Sequence, residues 1–115
     1  MTTYTMAIID REGRDCNAHE IIEQIGRMNT LAICGGVWAS LRDSTDQNRI
    51  IGAWLHCGTS RAVEVILDWN DTYIVRRVRR ITRGADRNSG VVEFEQREVY
   101  CDELAEVAYR ASCWR

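Results

Sequence analysis

Arg76, Arg77, Arg79 and Arg80 crowd into five consecutive positions, and Arg83 and Arg87 follow within the next seven. A guanidinium is permanently charged and presents a planar fork of donors, so such a cluster suits phosphate or carboxylate. Strict strand alternation sends Arg76, Val78 and Arg80 to one face and Arg77 and Arg79 to the other. Two buried arginines are unexpected. The spacing therefore predicts either a β-bulge that re-aims the strand or two partly wet faces. Glu93, Glu95 and Glu98 stand in the next apolar segment, where a hairpin centred near residues 86–87 brings them opposite the arginines. Each opposite-charge cross-strand pair contributes ~0.2–1 kcal/mol. Either the arginines are neutralised in a charge ladder, or they form an exposed ribbon, tipped by Arg83 and Arg87, that grips phosphates.

Other groups capable of chemistry are scattered. Cys16, Cys34, Cys57, Cys101 and Cys113 contain no CxxC spacing, and His19 and His56 are the only histidines. A zinc site would have to gather ligands from distant segments. The odd cysteine count and wide spacing predict free thiols, several of them small core hydrophobes. His56 and Cys57 are adjacent on a strand and so point to opposite faces, which prevents a nucleophile–base dyad. Gly35-Gly36 lacks the GxGxxG and GxxxxGK[ST] contexts of a phosphate loop and is read as a turn. Asp68 and Asp71 flank a turn without a third oxygen-rich segment. These residues yield no catalytic set, metal site or cofactor motif. Four tryptophans, Trp38, Trp54, Trp69 and Trp114, are many for 115 residues. Trp69 fits a core-facing strand position, whereas Trp38 and Trp114 are candidates for exposed interface aromatics.

The elements that must position these residues follow from periodicity. YTMAII (4–9) reads as a short strand, followed by a charged turn over 10–15. Asn17 stands three residues before Glu20, the spacing of a capping box. Ile21, Ile22, Ile25 and Met28 recur at helical spacing and predict a helix over 17–28 with one buried stripe. LAIC (31–34) reads as a buried strand ended by Gly35-Gly36, and RDSTDQNR (42–49) as a polar surface loop. IIGAWLHC (50–57) and AVEVILDW (62–69) are strands. In the second, Val63, Val65, Leu67 and Trp69 face the core against Glu64, Ile66 and Asp68. Strands over 73–82 and 91–99 complete the hairpin. Asp102 and Glu103 then open a final helix whose apolar positions are Leu104, Val107, Ala108 and Ala111. The fold expected is α+β: an antiparallel meander of four to six strands with an N-terminal and a C-terminal helix on one face.

At 13.2 kDa, 45% hydrophobic and 28% charged, the chain has the size and composition of a single globular domain, here residues 1–115. No apolar run approaches the ~20 residues that cross a bilayer. The opening MTTYTMAIIDREGRD lacks a basic signal-peptide region, so a cytoplasmic protein is expected. The net charge of −2 provides no long-range attraction for nucleic acid. All fifteen Lys+Arg residues are arginine, a bias read as that of a GC-rich genome.

EIIEQIGRMNTLAICGG (20–36), VILDWNDTYIVRRVRRI (65–81) and VYCDELAEV (99–107) together resemble a family of small phage-encoded proteins of the actinobacteriophage type. The resemblance spans about half the chain and rests on structural positions, such as Val99-Tyr100-Cys101-Asp102 leading a strand into a helix. Residues 1–15 and the arginine density depart from the family pattern. The resemblance implies an accessory protein that binds a host or anti-phage-defence protein, with a homodimer also compatible. The binding residues expected are Arg76, Arg77, Arg79, Arg80, Arg83, Arg87, Trp38 and Trp114. The alternative is a nucleic-acid or nucleotide-binding protein using the hairpin over 76–87. Neither an enzyme nor a membrane protein is expected.

Overall fold

Asn17 opens the first helix by accepting the backbone N–H of His19 at 2.9 Å, so the cap is present although its bond goes to His19. The computed structural model describes residues 6–114. The helix expected over 17–28 is broken in two. α1 spans Ala18–Ile25, Gly26 follows at φ 88°, and α2 spans Arg27–Cys34. Only a residue tolerant of the left-handed half of backbone space breaks a helix there without strain. The break rotates the buried stripe. Ile21 and Ile25 are buried from α1, Thr30, Ile33 and Cys34 from α2, and Met28 is left 79% exposed rather than in the core. LAIC is thus the end of a helix, not a strand. A short apolar run fits either element, and α2 ends on Gly35 in the left-handed conformation.

Five strands follow in a simple meander: β1 (Trp38–Arg42), β2 (Ile50–Gly58), β3 (Arg61–Leu67), β4 (Tyr73–Arg80) and β5 (Gly90–Val99). All neighbours are antiparallel, in the order β1-β2-β3-β4-β5. α3 (Leu104–Ser112) closes the domain, and all three helices lie on one face of the sheet. Ala53, Leu55, Val63, Val65, Val75 and Val99 bury that face against Ile21, Ile25, Leu104 and Val107. Each such aliphatic side chain contributes roughly 1.5–3 kcal/mol by leaving water. The fold class read from the sequence, α+β with a meander, is the one observed.

The opposite face is also buried. Leu41, Ile51, Trp54, Ala62, Ile66 and Ile74 form a second apolar layer. An irregular N-terminal strap, residues 6–16, lies over it. Of the strand expected at 4–9, residues 4 and 5 lie outside the described residues, and 6–9 make only a parallel bridge from Ile8 to Ser89. The strap is tied down by Arg14 N–H to the Leu67 carbonyl and Cys16 N–H to the Ile50 carbonyl, both 2.8 Å. Gly13 permits the approach, since a Cβ there would stand 2.6 Å from the Leu67 carbonyl oxygen. The strap also changes Glu64, expected to face away from the core beside solvent: its exposure is 0%. Trp69 departs from expectation in the other direction. It falls two residues past the end of β3, 57% exposed, with Arg49 stacked 5.4 Å from its ring.

Candidate functional site

β4 keeps strict alternation, so its arginines divide between the faces. On the strap face, Arg76 donates from Nε to Glu95 at 2.8 Å and from Nη1 to the Asp10 carbonyl at 3.2 Å. Arg80 donates to Asn88 Oδ1 at 3.0 Å. Beside them Arg11, from the strap, grips Glu64 with Nε at 3.0 and 3.1 Å and Nη2 at 2.5 Å, and gives a further bond to the Ala7 carbonyl at 2.7 Å. Arg97 adds contacts to Glu95 and Asp68 at 3.2 and 3.8 Å. Desolvation raises the Glu95 pKa, but the hydrogen bond from Arg76 and the charges of Arg76 and Arg97 outweigh it. The net value lies below that of an ordinary glutamate.

On the helix face the arrangement is looser. Arg77 is buried despite the expectation against it, with its side chain 7% exposed. α3 ends directly over it. Its Nη1 donates to the carbonyls of Ala111, Ser112 and Trp114 at 2.9, 3.0 and 3.1 Å, capping a helix end whose orphan acceptors carry partial negative charge. The bulge that the arginine spacing suggests does exist, but in the partner strand. Arg77 pairs with Phe94 and Val78 with Val92, which leaves Glu93 as the extra residue. That bulge aims Glu93 at three guanidiniums: Arg79 Nε at 3.4 Å, Arg77 Nε at 3.5 Å and Arg61 Nε at 3.7 Å. Arg61 and Arg79 are direct cross-strand partners, a placement of like charges that is destabilising without a shared anion.

Past the end of α3 this face of the sheet is uncovered. Arg61, Arg77, Glu93, Ser112, Cys113 and Trp114 line an open basin of about 680 Å³ there. Trp114 is 46% exposed and packs against Phe94, ring centres 4.8 Å apart. Cys57 stands within the field of Arg77 and Arg61; burial raises its thiol pKa and the two arginines only partly oppose this.

Of the residues singled out in the sequence, Arg77 and Trp114 line the basin, and Arg79 stands beside it through its contact with Glu93. Arg76 and Arg80 turn to the other face, and Glu98, at φ 57° in a second β5 bulge, forms no ion pair among the described residues. Arg83 and Arg87 are exposed at the hairpin tip, with no side-chain hydrogen bond or ion pair among the described residues. Trp38 lies edge-on to His19 at 4.9 Å on the edge strand β1 and does not line the basin. Arg61 belongs to the site although it stands outside the arginine run of β4. Its signal was its place at the start of β3, just after the turn, where a two-residue connection puts it opposite the end of β4. Among the described residues no three His, Cys, Asp or Glu side chains gather as a metal site, and no helix is long and apolar enough to cross a membrane. No family model, curated protein or solved structure matches the chain.

Proposed function

We propose that this domain is a small accessory protein that acts by binding another protein, engaging an acidic segment of it at the basin lined by Arg61 and Arg77, with Arg79 beside it. The observation that carries the reading is the charge imbalance there, three guanidiniums around one carboxylate beside a half-exposed tryptophan. Exposed arginine and tryptophan are the side chains that most often anchor protein interfaces. The resemblance of residues 20–36, 65–81 and 99–107 to phage-encoded proteins supports a host or defence protein as the partner. In the test, wild-type protein and the Arg61→Glu/Arg79→Glu double variant are used as baits in host lysate, and a retained protein is then titrated in purified form. The reading expects a purified partner whose affinity falls in the double variant and survives in Arg83→Glu. Equal binding to wild type and double variant overturns it.

A second reading rests on Arg83 and Arg87, exposed and unpaired among the described residues at the hairpin tip. Phosphate contacts there would give nucleic-acid binding that weakens steeply with salt. That reading expects a gel shift at low salt that is lost in Arg83→Ala. It fails if no DNA or RNA is shifted.

A further inference from the structure

Building on the proposal that the basin binds a protein, we infer that the group it takes is a tetrahedral oxyanion, a phosphoryl group carried on a side chain of the partner. Arg77 lines the basin, and its Nε–H, buried and 3.5 Å from Glu93, has no hydrogen-bond acceptor among the described residues. Such a donor is costly unless something completes it. Glu93 cannot complete all three. Its closest approaches to the three Nε atoms are 3.4, 3.5 and 3.7 Å, against ~2.7–2.9 Å for a close guanidinium–carboxylate bond, so from its place on the bulge it reaches none of them closely. A phosphoryl group has three terminal oxygens, one for each donor, and a charge of about −1.5 to −2 that balances the excess of cations.

Glu93 is then an internal stand-in. It sits on a bulge at the rim, its side chain 25% exposed, and turns outward when the ligand enters. Trp114 and Phe94 flank the site and receive the apolar part of the residue that bears the phosphoryl group. A protein source is favoured over nucleic acid because the guanidiniums gather around the single carboxylate of Glu93 rather than along a track of successive phosphates. The net charge of −2 also opposes a polyanion.

The test follows the arginine Nε–Hε signals by NMR at fixed ionic strength. The titrants are a glycine-flanked phosphoserine peptide, its serine and glutamate counterparts, inorganic phosphate and a single-stranded oligonucleotide. The expected result is saturable movement of the Arg77 signal by the phosphopeptide, with inorganic phosphate binding the same residues more weakly. Affinity for the phosphopeptide should fall about tenfold or more in Arg61→Gln and in Arg79→Gln and rise in Glu93→Gln. Inorganic phosphate binding as tightly as the phosphopeptide overturns the protein source. The glutamate peptide binding as tightly as the phosphopeptide overturns the phosphoryl inference while leaving the protein-binding reading intact. No movement of Arg77 by any titrant overturns both. Movement by the oligonucleotide alone, lost in Arg83→Ala, replaces them with the nucleic-acid reading.

Discussion

On the strap face Arg11 and Arg76 hold Glu64 and Glu95 at 2.5–3.1 Å, with backbone carbonyls taking further N–H groups. On the helix face, Arg61, Arg77 and Arg79 share Glu93 at 3.4–3.7 Å. One strand, β4, supplies arginines to both, so the difference lies in what covers each face. The strap delivers Arg11 together with carbonyl acceptors, so although an open basin of about 610 Å³ lined by Arg11, Arg76 and Arg97 lies beside it, those arginines are already held by Glu64, Glu95 and backbone carbonyls. α3 ends over Arg77 and, together with Trp114 just beyond it, gives three carbonyls to that single arginine, leaving Arg61 and Glu93 facing an open basin. A charge cluster closed by its own chain is architecture. A cluster that the chain leaves short of acceptors has capacity for a ligand.

The largest effect is expected on the closed side. Arg11→Ala leaves the Glu64 carboxylate buried without its cation and should cost about 3–5 kcal/mol in urea unfolding, while Arg11→Met/Glu64→Leu should recover most of it. A loss below about 1 kcal/mol for the single variant would mean that the strap does not seal this face. Arg77→Met comes next. It strips the donor from the end of α3, with an expected loss of about 1.5–3 kcal/mol, and hydrogen exchange should quicken at the amides of residues 109–112.

Glu93→Gln is expected to cost only about 1 kcal/mol, because a loosely held, partly exposed carboxylate gives little even among three cations. A loss as large as that of Arg11→Ala would erase the distinction between the two clusters. The smallest effect concerns pH. The Glu95 pKa is lowered in the folded domain, so its contribution is fully present above the ordinary glutamate range and is lost as pH falls through the depressed value. Glu95→Gln should flatten the acid side of the stability profile, and an unchanged profile would assign that slope to other carboxylates.

Much of the open cluster could be seen in the sequence. That a hairpin brings glutamates across from the arginines follows from two segments of strand periodicity and a turn, but the register does not: a centre at residues 86–87 pairs Arg76 with Arg97, whereas the bulged strand sets Arg76 against Glu95. Glu64 was misplaced for a definite reason. Alternation says which face a residue takes, but not whether an irregular segment from elsewhere will cover that face, and the strap has no periodicity of its own. Its clue was Arg11 in a charged stretch that looked like a turn. The helix–strand ambiguity of LAIC and the rotation at Gly26 are similar in kind: one residue in an unusual conformation re-phases everything after it. The single-residue bulge at Glu93 is hidden from sequence because pairing, not composition, creates it.

The most direct test of the contrast between the faces is thermal unfolding against phosphate concentration at constant ionic strength. Wild-type protein and Arg11→Met/Glu64→Leu should gain the same increase in Tm, following the linkage expected of a ligand that binds only the folded state, while Arg61→Gln/Arg79→Gln should show none. An equal increase in all three, or no increase in wild type, would contradict the claim that the helix-face arginines are an open anion site.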